Sequence, residues 1–304
     1  MEKFEVWNRN QIASSPEKIN LSISLSPEEL EAISHLPIGD IDEKVRSSIK
    51  FQSFAQAVIQ RLNEGTRFCL AEGLAFEEFE NSPELMQAYM VAISNLIGVT
   101  TCTDRVKKNI VWPIKADPTQ TGDNLTYSEH QGHAGLHTDT QYFPEPESGV
   151  SLWCLNPDKN GEGESILVDA RMAIHELIAR GLRDSVEILS REKVPFRVPT
   201  AFTATATEDS LEIFSAPIIG ESPYIRYRRE TIERAYTMNP KEKDQSIAQA
   251  MDHLDEVLND PSLQIRFNLR RGQVLFLNNH EILHGRTSFS DLERHLLRIR
   301  FNIH

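Results

Sequence analysis

Apolar positions in the first hundred residues recur with the spacing of helices. Between positions 43 and 63 they follow one another at intervals of three and four residues, which predicts one continuous helix there. Upstream, Ser26 is followed at once by Pro27 and, three positions after the serine, by Glu29. In this capping-box pattern the serine and the acid each bond the backbone at the other's position, so a short helix should begin at Pro27.

A second start signal stands at Ser82, which precedes a proline, a glutamate and a further run of helically spaced apolar residues. Gly98 predicts the end of that helix, because glycine commonly occupies the position just after a helix, where the backbone leaves the helical conformation. Between the two helical regions, the apolar run from Thr66 to Ala71 is short enough for a strand. The pattern therefore predicts a mainly helical part over residues 1–100.

From about residue 109 the pattern changes to short runs bounded by Gly, Pro and Asn, which are typical of strands. Helical spacing returns at about 171–190 and 241–259. Several spaced strands after a helical start favour an α+β fold, with a β-sandwich or partly closed barrel and helices packed outside it. The chain shows no repeat or linker, so residues 1–304 should form one domain, with the β-rich core and its helical insertions over 101–304. The predicted strands are Val150 to Leu155, Ser165 to Val168, Leu211 to Ser215, Tyr224 to Tyr227, Leu263 to Leu269, Gln273 to Leu277 and His295 to Ile303.

Composition excludes several classes of partner. The 304 residues carry a formal charge of −13, and nucleic acids are bound mainly through Lys and Arg. The first fifteen residues are polar, and no later run approaches the roughly 18 apolar residues of a membrane span. Cys69, Cys102 and Cys154 are isolated from one another, as expected for buried thiols in a reducing compartment. We therefore expect a cytoplasmic protein that binds neither nucleic acid nor membranes, with its oligomeric state left open.

Two potential metal ligands, His137 and Asp139, are separated by a single residue. In an extended segment, side chains two positions apart point to the same face, so an imidazole nitrogen and a carboxylate oxygen can reach one ion. A third ligand has to come from a distant part of the chain, and His284 is the candidate. Two histidines and one carboxylate leave half of an octahedral ion open, which is the arrangement of non-haem Fe(II) oxygenases.

Other polar residues near these positions have simpler interpretations. His130, His133 and His280 are not expected to be ligands. For His133, glycines disfavour the helix that would align it with His137. Arg226 lies in the predicted strand Tyr224 to Tyr227, and Arg228 follows directly after it. They either contact an anionic substrate or, as the pattern favours, lie on a solvated strand face.

Four short motifs follow one another in the second part of the chain: Leu136 to Thr140, Gly161 to Ser165, Leu283 to Thr287 and Arg294 to Arg298. In content and order they resemble the taurine dioxygenase and clavaminate synthase superfamily of Fe(II)/2-oxoglutarate-dependent oxygenases, over about residues 60–304. The resemblance implies a double-stranded β-helix, or jelly roll, as the core, with flanking helices that are mostly N-terminal. It also implies Fe(II) as the metal and 2-oxoglutarate and O2 as cosubstrates.

The resemblance assigns roles to single residues as well. Ser165 stands where the family has a hydroxyl residue that bonds the carboxylate of 2-oxoglutarate. Arg294 would bind the distal carboxylate of 2-oxoglutarate and Arg298 an anionic group of the substrate, and the two roles could be exchanged. A guanidinium suits either role, because it binds a carboxylate in a bidentate way and keeps its charge. The implied iron ligands are His137, Asp139 and His284.

The predicted last strand, His295 to Ile303, alternates apolar and polar positions, so one face should be core. Arg298 and Arg300 share the polar face, which either meets solvent or lines a pocket inside a barrel. If the strand begins by residue 294, Arg294 projects the same way as Arg298.

The implied activity is hydroxylation of an unactivated C–H bond in a small anionic or amino-acid-like substrate, with release of succinate and CO2. Related iron halogenases have a small residue in place of the carboxylate ligand, so the presence of Asp139 favours hydroxylation. Desaturation or oxidative cyclisation of a natural-product intermediate is the alternative with the same cofactors. A zinc or manganese hydrolase with the same three ligands and a non-catalytic jelly-roll binding protein are hypotheses from other classes. The hydrolase leaves Ser165, Arg294 and Arg298 without a role.

Overall fold

The computed structural model describes residues 16–102, 108–117, 119, 127–199, 212–221, 224–238 and 244–304. Its α-helices are α1 (Pro27–Ser34), α2 (Ile41–Ser47), α3 (Ile49–Asn63), α4 (Pro83–Ile97), α5 (Ala170–Ala179), α6 (Arg183–Arg191), α7 (Arg229–Met238) and α8 (Gln245–Leu258). Its strands are β1 (Asn20–Ser22), β2 (Phe68–Glu72), β3 (Gly98–Thr100), β4 (Trp112–Lys115), β5 (Ala134–His137), β6 (Gly149–Asn156), β7 (Ser165–Asp169), β8 (Val194–Arg197), β9 (Ile213–Ala216), β10 (Ile265–Phe267), β11 (Val274–Asn278), β12 (Ile282–Arg286) and β13 (His295–Ile303). Short 3-10 turns occupy Pro16–Lys18, Ile38–Asp40 and Phe76–Phe79.

The strands form two larger sheets and one separate pair. The larger sheet has the order β1-β2-β11-β6-β13-β3, and β4 also pairs with β13. Strand β1 runs parallel to β2, whereas the other pairs of this sheet are antiparallel. The smaller sheet, β10-β7-β12-β5, is antiparallel throughout. Strands β8 and β9 pair with each other.

An apolar layer lies between the two sheets. Leu275 and Leu296 of the larger sheet belong to the same buried cluster as Leu167 and Ile282 of the smaller sheet. Full burial of one such side chain stabilises the fold by about 1.5–3 kcal/mol. The sheets therefore face each other, and the side chains of their inner faces enclose the interior.

Helices α3 and α4 cover the outer face of the larger sheet. Phe276 of β11 and Trp153 of β6 are buried in one cluster with Phe54 of α3 and Tyr89 of α4. The rings of Phe54 and Phe276 meet edge to face with their centroids 6.3 Å apart, a favourable aromatic geometry. Apolar residues of β13 join this cluster, which leaves the alternate positions of that strand for the interior.

Helices α5, α6 and α8 cover the outer face of the smaller sheet. Leu283 of β12 is buried in one cluster with Leu177 of α5, Leu189 of α6 and Leu254 of α8. Because successive side chains of a strand point to opposite faces, His284 faces the interior.

The N-terminal helices follow the sequence pattern with one exception. Ser26 and Glu29 form the predicted capping box at the start of α1, and Gly98 ends the predicted helix α4. The prediction of one continuous helix over 43–63 is wrong, because the chain is extended at Ser48 and divides into α2 and α3. The apolar spacing continues across this break, whereas serine readily leaves helical conformation, so periodicity alone could not reveal it.

Most predicted strands after residue 149 are present with ends shifted by one or two residues. The segment Tyr224 to Tyr227 is not a strand, and its backbone forms a single isolated bridge between Ile219 and Ile225. Its N–H groups instead bond separate carbonyls, those of His280 and Ile218. The prediction for Leu211 to Ser215 falls partly outside the described residues, and the rest lies in β9.

The predicted helical regions also need adjustment. The region at 171–190 is two helices, α5 and α6, because Gly181 adopts a left-handed φ of +79° between them. Within the region at 241–259, helix α8 lies in the described part. Cys69 and Cys154 are buried as predicted, but Cys102 is exposed. No helix among the described residues has the length and apolar character needed to cross a membrane.

Candidate metal centre

His137 and His284 are brought together by strand pairing in the smaller sheet. His137 is the last residue of β5, and it lies directly opposite His284 of β12 in the antiparallel register. Residues that oppose each other in this way share one face of the sheet, and the two imidazole centroids are 4.5 Å apart. Asp139 follows β5 by two residues and turns its carboxylate to the same space. Three residues from two distant parts of the chain thus converge.

The distances within this cluster are close to those of metal ligands. Oδ1 of Asp139 lies 3.6 Å from Nε2 of His137 and 3.9 Å from Nε2 of His284. One ligand atom from each residue lies within 4.8 Å of the other two. An ion with bonds of about 2.1 Å has adjacent ligand atoms about 3 Å apart, so side-chain shifts of about 1 Å would close the cluster around it. All three side chains are buried, as expected for a site shielded from solvent.

The histidines are in the protonation state that a metal requires. Nδ1 of His137 lies 2.8 Å from the carbonyl oxygen of Gly135 and donates to it, which leaves Nε2 free to bind an ion. Burial lowers the pKa of His137, and burial beside His137 lowers the pKa of His284 to about 3. Both rings are therefore neutral at neutral pH, as ligation demands. Nδ1 of His284 is buried and has no hydrogen-bond partner among the described residues.

Asp139 is ionised, although it is buried. Burial opposes the charge, but the guanidinium groups of Arg298 and Arg300 hold the pKa of the carboxyl well below its usual range. Its Oδ2 accepts from Nε of Arg300 at 2.8 Å and lies 3.2 Å from Nη1 of Arg298. Oδ1 consequently faces the two imidazoles. At Arg298 and Arg300 the polar face of β13 therefore lines the interior, whereas Asn302 near its end is exposed.

Arg300 is a site residue that the sequence reasoning missed. Its position two residues beyond Arg298 on the same strand face was a usable signal, because both guanidiniums had to point the same way. The side chain is only 5% exposed, so it has to be paired or bound. Residues that orient a ligand in this way tune a metal site nearly as strongly as the ligands themselves.

Asn279 fixes the backbone of Asp139. Its Oδ1 accepts from the N–H of Asp139 at 2.7 Å, and its Nδ2 donates to the carbonyl oxygens of Asp139 and Glu147 at 3.0 and 2.8 Å. On the other side of the turn, the N–H of Thr138 donates to the carbonyl oxygen of Tyr227. The loop that carries the carboxylate is therefore held from two directions. The sequence offered a weak signal for Asn279, a polar residue directly after a buried strand.

Arg294 is a buried cation that forms no ion pair with a carboxylate in the described part of the chain. Its side chain packs over the ring of Phe289, and its Nη2 reaches the carbonyl oxygen of Gly163 at 3.4 Å. Nη1 is buried and has no partner among the described residues, and burial lowers the pKa of the group. Gly163 has a φ of +70°, and a Cβ there would lie 2.7 Å from Nε of Arg294. The glycine thus makes room for a guanidinium whose charge-assisted donors can bind a ligand carboxylate.

Ser165 lies on the same sheet face as the histidines. It opposes Arg286 across the strand pair, while Leu167 opposes His284. Residues two apart on a strand share a face, so Ser165 and His284 both point inward. Ser165 is buried. The structure thus brings this serine, the three candidate ligands and the arginines of β13 to one interior.

The two arginines after residue 225 do not lie on a solvated strand face, so that prediction is wrong. Arg226 is buried and donates to the carbonyl oxygens of Gln141, Phe143 and Pro144. Arg228 is paired with Glu230 at 3.2 Å, and 14% of its side chain is exposed. In the part of the chain that the structure describes, this segment forms only an isolated bridge and no strand pair, so it has no regular strand face to expose.

The neighbouring histidines stay outside the cluster of three. His280 uses Nε2 to contact the carbonyl oxygen of Pro146 at 2.9 Å. His130 and His133 precede β5, and neither belongs to the group formed by His137, Asp139 and His284.

Curated relatives match a part of this chain. Trimethyllysine dioxygenase, mitochondrial, of Mus musculus is 30% identical over 172 residues, which cover 51% of this chain and 37% of the relative. Gamma-butyrobetaine dioxygenase of Homo sapiens is 22% identical over 178 residues, which cover 57% of this chain and 45% of the relative. The matched region is thus less than half the length of these relatives.

Solved structures share the fold over nearly the whole chain. The non-heme iron oxygenase OrfP in complex with Fe and alpha-ketoglutaric acid superposes with a TM-score of 0.63 at 16% identity, covering 93% of this chain and 94% of that one. Asparagine oxygenase in complex with Fe(II), 2S,3S-3-hydroxyasparagine and succinate gives a TM-score of 0.61 at 15% identity, covering 93% of both chains. At this identity the likeness shows a common fold.

The family model for the taurine catabolism dioxygenase TauD, TfdA family matches residues 42–300. This match covers most of the chain and includes all four motifs, so the family resemblance seen in the sequence is confirmed. The chain belongs to the TauD/TfdA family of dioxygenases.

Proposed function

We propose that the protein is an Fe(II)- and 2-oxoglutarate-dependent dioxygenase that hydroxylates an unactivated C–H bond of a small, amino-acid-like substrate. Family membership supports the reaction class. The observation that carries the proposal is the convergence of two histidines and one carboxylate, in an interior that also holds Arg294, whose buried Nη1 has no partner among the described residues. In this proposal the two facing sheets are the jelly roll of the family, and residues 1–304 form one domain.

His137, Asp139 and His284 would hold Fe(II). Two neutral imidazoles and one carboxylate form the facial triad that leaves coordination positions open for cosubstrates. Because Oδ2 of Asp139 already accepts from Arg300, Oδ1 would be the oxygen better placed to bind the ion. His137 is oriented by its bond to Gly135, as ligating histidines usually are.

Arg294 and Ser165 would hold 2-oxoglutarate. The guanidinium of Arg294 would bind the distal carboxylate, because its Nη1 donor is buried without a partner among the described residues. The hydroxyl of Ser165, on the face of the triad, would donate to a carboxylate oxygen. When bound, Fe(II) and 2-oxoglutarate supply the oxidising chemistry, which consumes O2 and releases succinate and CO2.

Arg298 would meet the prime substrate. Its Nε is buried without a partner among the described residues, so it can donate to an anionic group. An amino-acid-like substrate agrees with the relatives, which are named for trimethyllysine and gamma-butyrobetaine.

Desaturation or cyclisation with the same cofactors is an alternative outcome of the same binding mode. A cytoplasmic location, inferred from the isolated cysteines, remains part of the proposal.

A metal-dependent hydrolase is the second candidate, favoured by the three ligands alone. A hydrolase needs a metal-bound water, but it does not need a buried cation that binds the carboxylate of a cosubstrate. The unpartnered Nη1 of Arg294 therefore argues against it, and so does membership of a dioxygenase family.

Anaerobic addition of Fe(II) and 2-oxoglutarate tests the proposal. Bidentate chelation of the metal should produce a weak visible charge-transfer band, and His284→Ala should abolish it. His280→Ala is the matched control, since His280 lies four residues away and contacts the carbonyl of Pro146. A hydrolase or an inert binding protein should give no band, and a band that survives in His284→Ala would contradict the assignment.

A further inference from the structure

A second guanidinium, that of Arg228, is held beside the candidate metal centre. The neighbouring Tyr227 accepts a hydrogen bond from the N–H of Thr138 at 2.9 Å, and its own N–H donates to Oγ1 of Thr138 at 3.1 Å. Thr138 separates the candidate ligands His137 and Asp139. The backbone at Arg228 is therefore tied to the turn that carries two of the three ligands.

The side chain of Arg228 lies against Tyr127, which in turn contacts a candidate ligand. The guanidinium carbon of Arg228 is 3.9 Å from the centroid of the Tyr127 ring. The same ring is 5.2 Å from the ring of His137, edge to face. Tyr127 thus connects Arg228 to the metal centre, and the guanidinium occupies one face of the phenol ring in a cation–π contact.

The charge of Arg228 is only partly balanced. Its Nη2 lies 3.2 Å from Glu230, but Glu230 also pairs with Arg234 at 2.9 Å, so two cations share one carboxylate. Nε of Arg228 is buried and has no hydrogen-bond partner among the described residues. A buried N–H without a partner costs free energy, and an acceptor on a bound molecule would remove that cost.

Nε of Arg298 is a second buried donor without a partner in the described part of the chain. Nη1 of Arg298 lies 3.2 Å from Oδ2 of the candidate ligand Asp139, so Arg298 also borders the metal centre. The space beside the metal centre is thus bordered by two incompletely paired guanidiniums. A quaternary ammonium group would be repelled there, and one face of the Tyr127 ring is already covered by Arg228.

We propose that Arg228, stacked on Tyr127, binds an anionic oxygen group of the prime substrate and thereby selects acidic amino acids or similar acids over quaternary ammonium compounds. The assignment rests on the proposed function, because it takes the space beside the triad as the substrate site. It adds Arg228 as a specificity-determining residue and sets this protein apart from relatives named for trimethyllysine and gamma-butyrobetaine.

Matched amino acids provide the test. The unmodified protein is loaded anaerobically with Fe(II) and 2-oxoglutarate, and the charge-transfer band is recorded first. L-aspartate, L-asparagine, L-glutamate, L-glutamine and Nε-trimethyl-L-lysine are then titrated, and the change in the band gives each dissociation constant. One acid should bind at least about 10-fold more tightly than its amide, as expected for a charge-assisted hydrogen bond. Nε-trimethyl-L-lysine should bind most weakly.

Variants test whether Arg228 causes the preference for the acid over its amide. Arg228→Gln should weaken binding of the preferred acid about 10- to 100-fold and leave binding of its amide nearly unchanged. Arg228→Lys, which keeps the charge but lacks the Nε donor, should fall between. Arg234→Gln is the matched control, because it removes one charge from the same Glu230 pair and should change binding by less than about 2-fold, within the range of an exposed ion pair.

The outcomes distinguish failure of the proposed function from failure of the role assigned to Arg228. Absence of the band in the unmodified protein would refute the proposed function itself. A normal band with no response to either acid, or with equal binding of acids and amides, would overturn the role of Arg228 alone. So would unchanged binding of the acid by Arg228→Gln. The comparison of acids with amides needs no variant, so a variant that failed to fold would leave the test intact.

Discussion

Arg294 and Arg300 are almost equally buried, at 4% and 5% exposure, yet their surroundings differ. Arg300 donates to Asp139, and although burial works against it, the charge of Asp139 raises the pKa of the guanidinium. Arg294 has a donor without any partner among the described residues, and burial lowers its pKa. The charge of a buried cation that pairs with a carboxylate is balanced within the protein. A buried cation without such a pair can instead bind an anionic group of a ligand.

Removal of the paired arginine should have the largest effect. Arg300→Leu leaves Asp139 with less compensation in the interior, and loss of one partner of a buried pair costs about 3–5 kcal/mol of unfolding free energy. Arg294→Leu breaks no ion pair among the described residues and removes a buried charge whose pKa is lowered by burial, so it should cost far less. Urea unfolding of the metal-free proteins measures both. Equal losses in the two variants would contradict the distinction between these arginines.

Acid should destabilise the folded protein through His284. Burial lowers the pKa of His284 to about 3 in the folded protein, below the value of 6.5 in the unfolded chain. The unfolded state then binds more protons between these values, so the stability present above pH 6.5 is lost as the pH falls, with a slope approaching about 1.4 kcal/mol per unit. Unfolding of the metal-free protein at pH 7 and 5 checks this, and His284→Gln should flatten the dependence. An equally steep dependence in the variant would refute the cause given.

Loss of the unpaired arginine should appear in cosubstrate binding. Arg294→Leu should raise the 2-oxoglutarate concentration for half-saturation about 10- to 100-fold, the range of a charge-assisted hydrogen bond. Fe(II) affinity should stay unchanged, because Arg294 contacts none of the candidate ligands. Anaerobic titrations of the visible band measure the first quantity, and metal competition measures the second. A variant that lost affinity for Fe(II) and kept its affinity for 2-oxoglutarate would contradict the role assigned to Arg294.

The smallest effect is expected at the backbone of Asp139. Asn279→Ala removes three hydrogen bonds around the turn and should weaken metal binding about 10-fold, the lower end for groups that orient ligands. Asn278→Ala is the control, since Asn278 is equally a buried amide but bonds Leu62 and His280. Similar metal affinities in the two variants would show that Asn279 acts through stability alone.

The sequence was most informative where chemistry and spacing coincide. His137 and Asp139 could be paired from their separation alone, and the order of the motifs added His284 and Arg294. Contacts of a ligand with other side chains leave no comparable pattern. The spacing from Arg298 indicates that Arg300 points the same way, but its bond to Asp139 also depends on how the two sheets face each other, which no local spacing encodes.

The errors in the fold have related causes. The short run Tyr224 to Tyr227 is typical of a strand, but a strand also needs a neighbour, and this segment bonds separate loops instead. The break at Ser48 is invisible to apolar spacing, because α2 and α3 both bury residues against the same cluster. Local patterns thus predicted elements with strong periodicity and failed where tertiary contacts decided the backbone.

Crystals prepared anaerobically with Fe(II) and 2-oxoglutarate would test the central claim most directly. Anomalous diffraction should place one iron about 2.0–2.2 Å from Nε2 of His137, Nε2 of His284 and a carboxylate oxygen of Asp139. The distal carboxylate of 2-oxoglutarate should lie on the guanidinium of Arg294. Metal bound elsewhere, or 2-oxoglutarate bound away from both the metal and Arg294, would contradict the account.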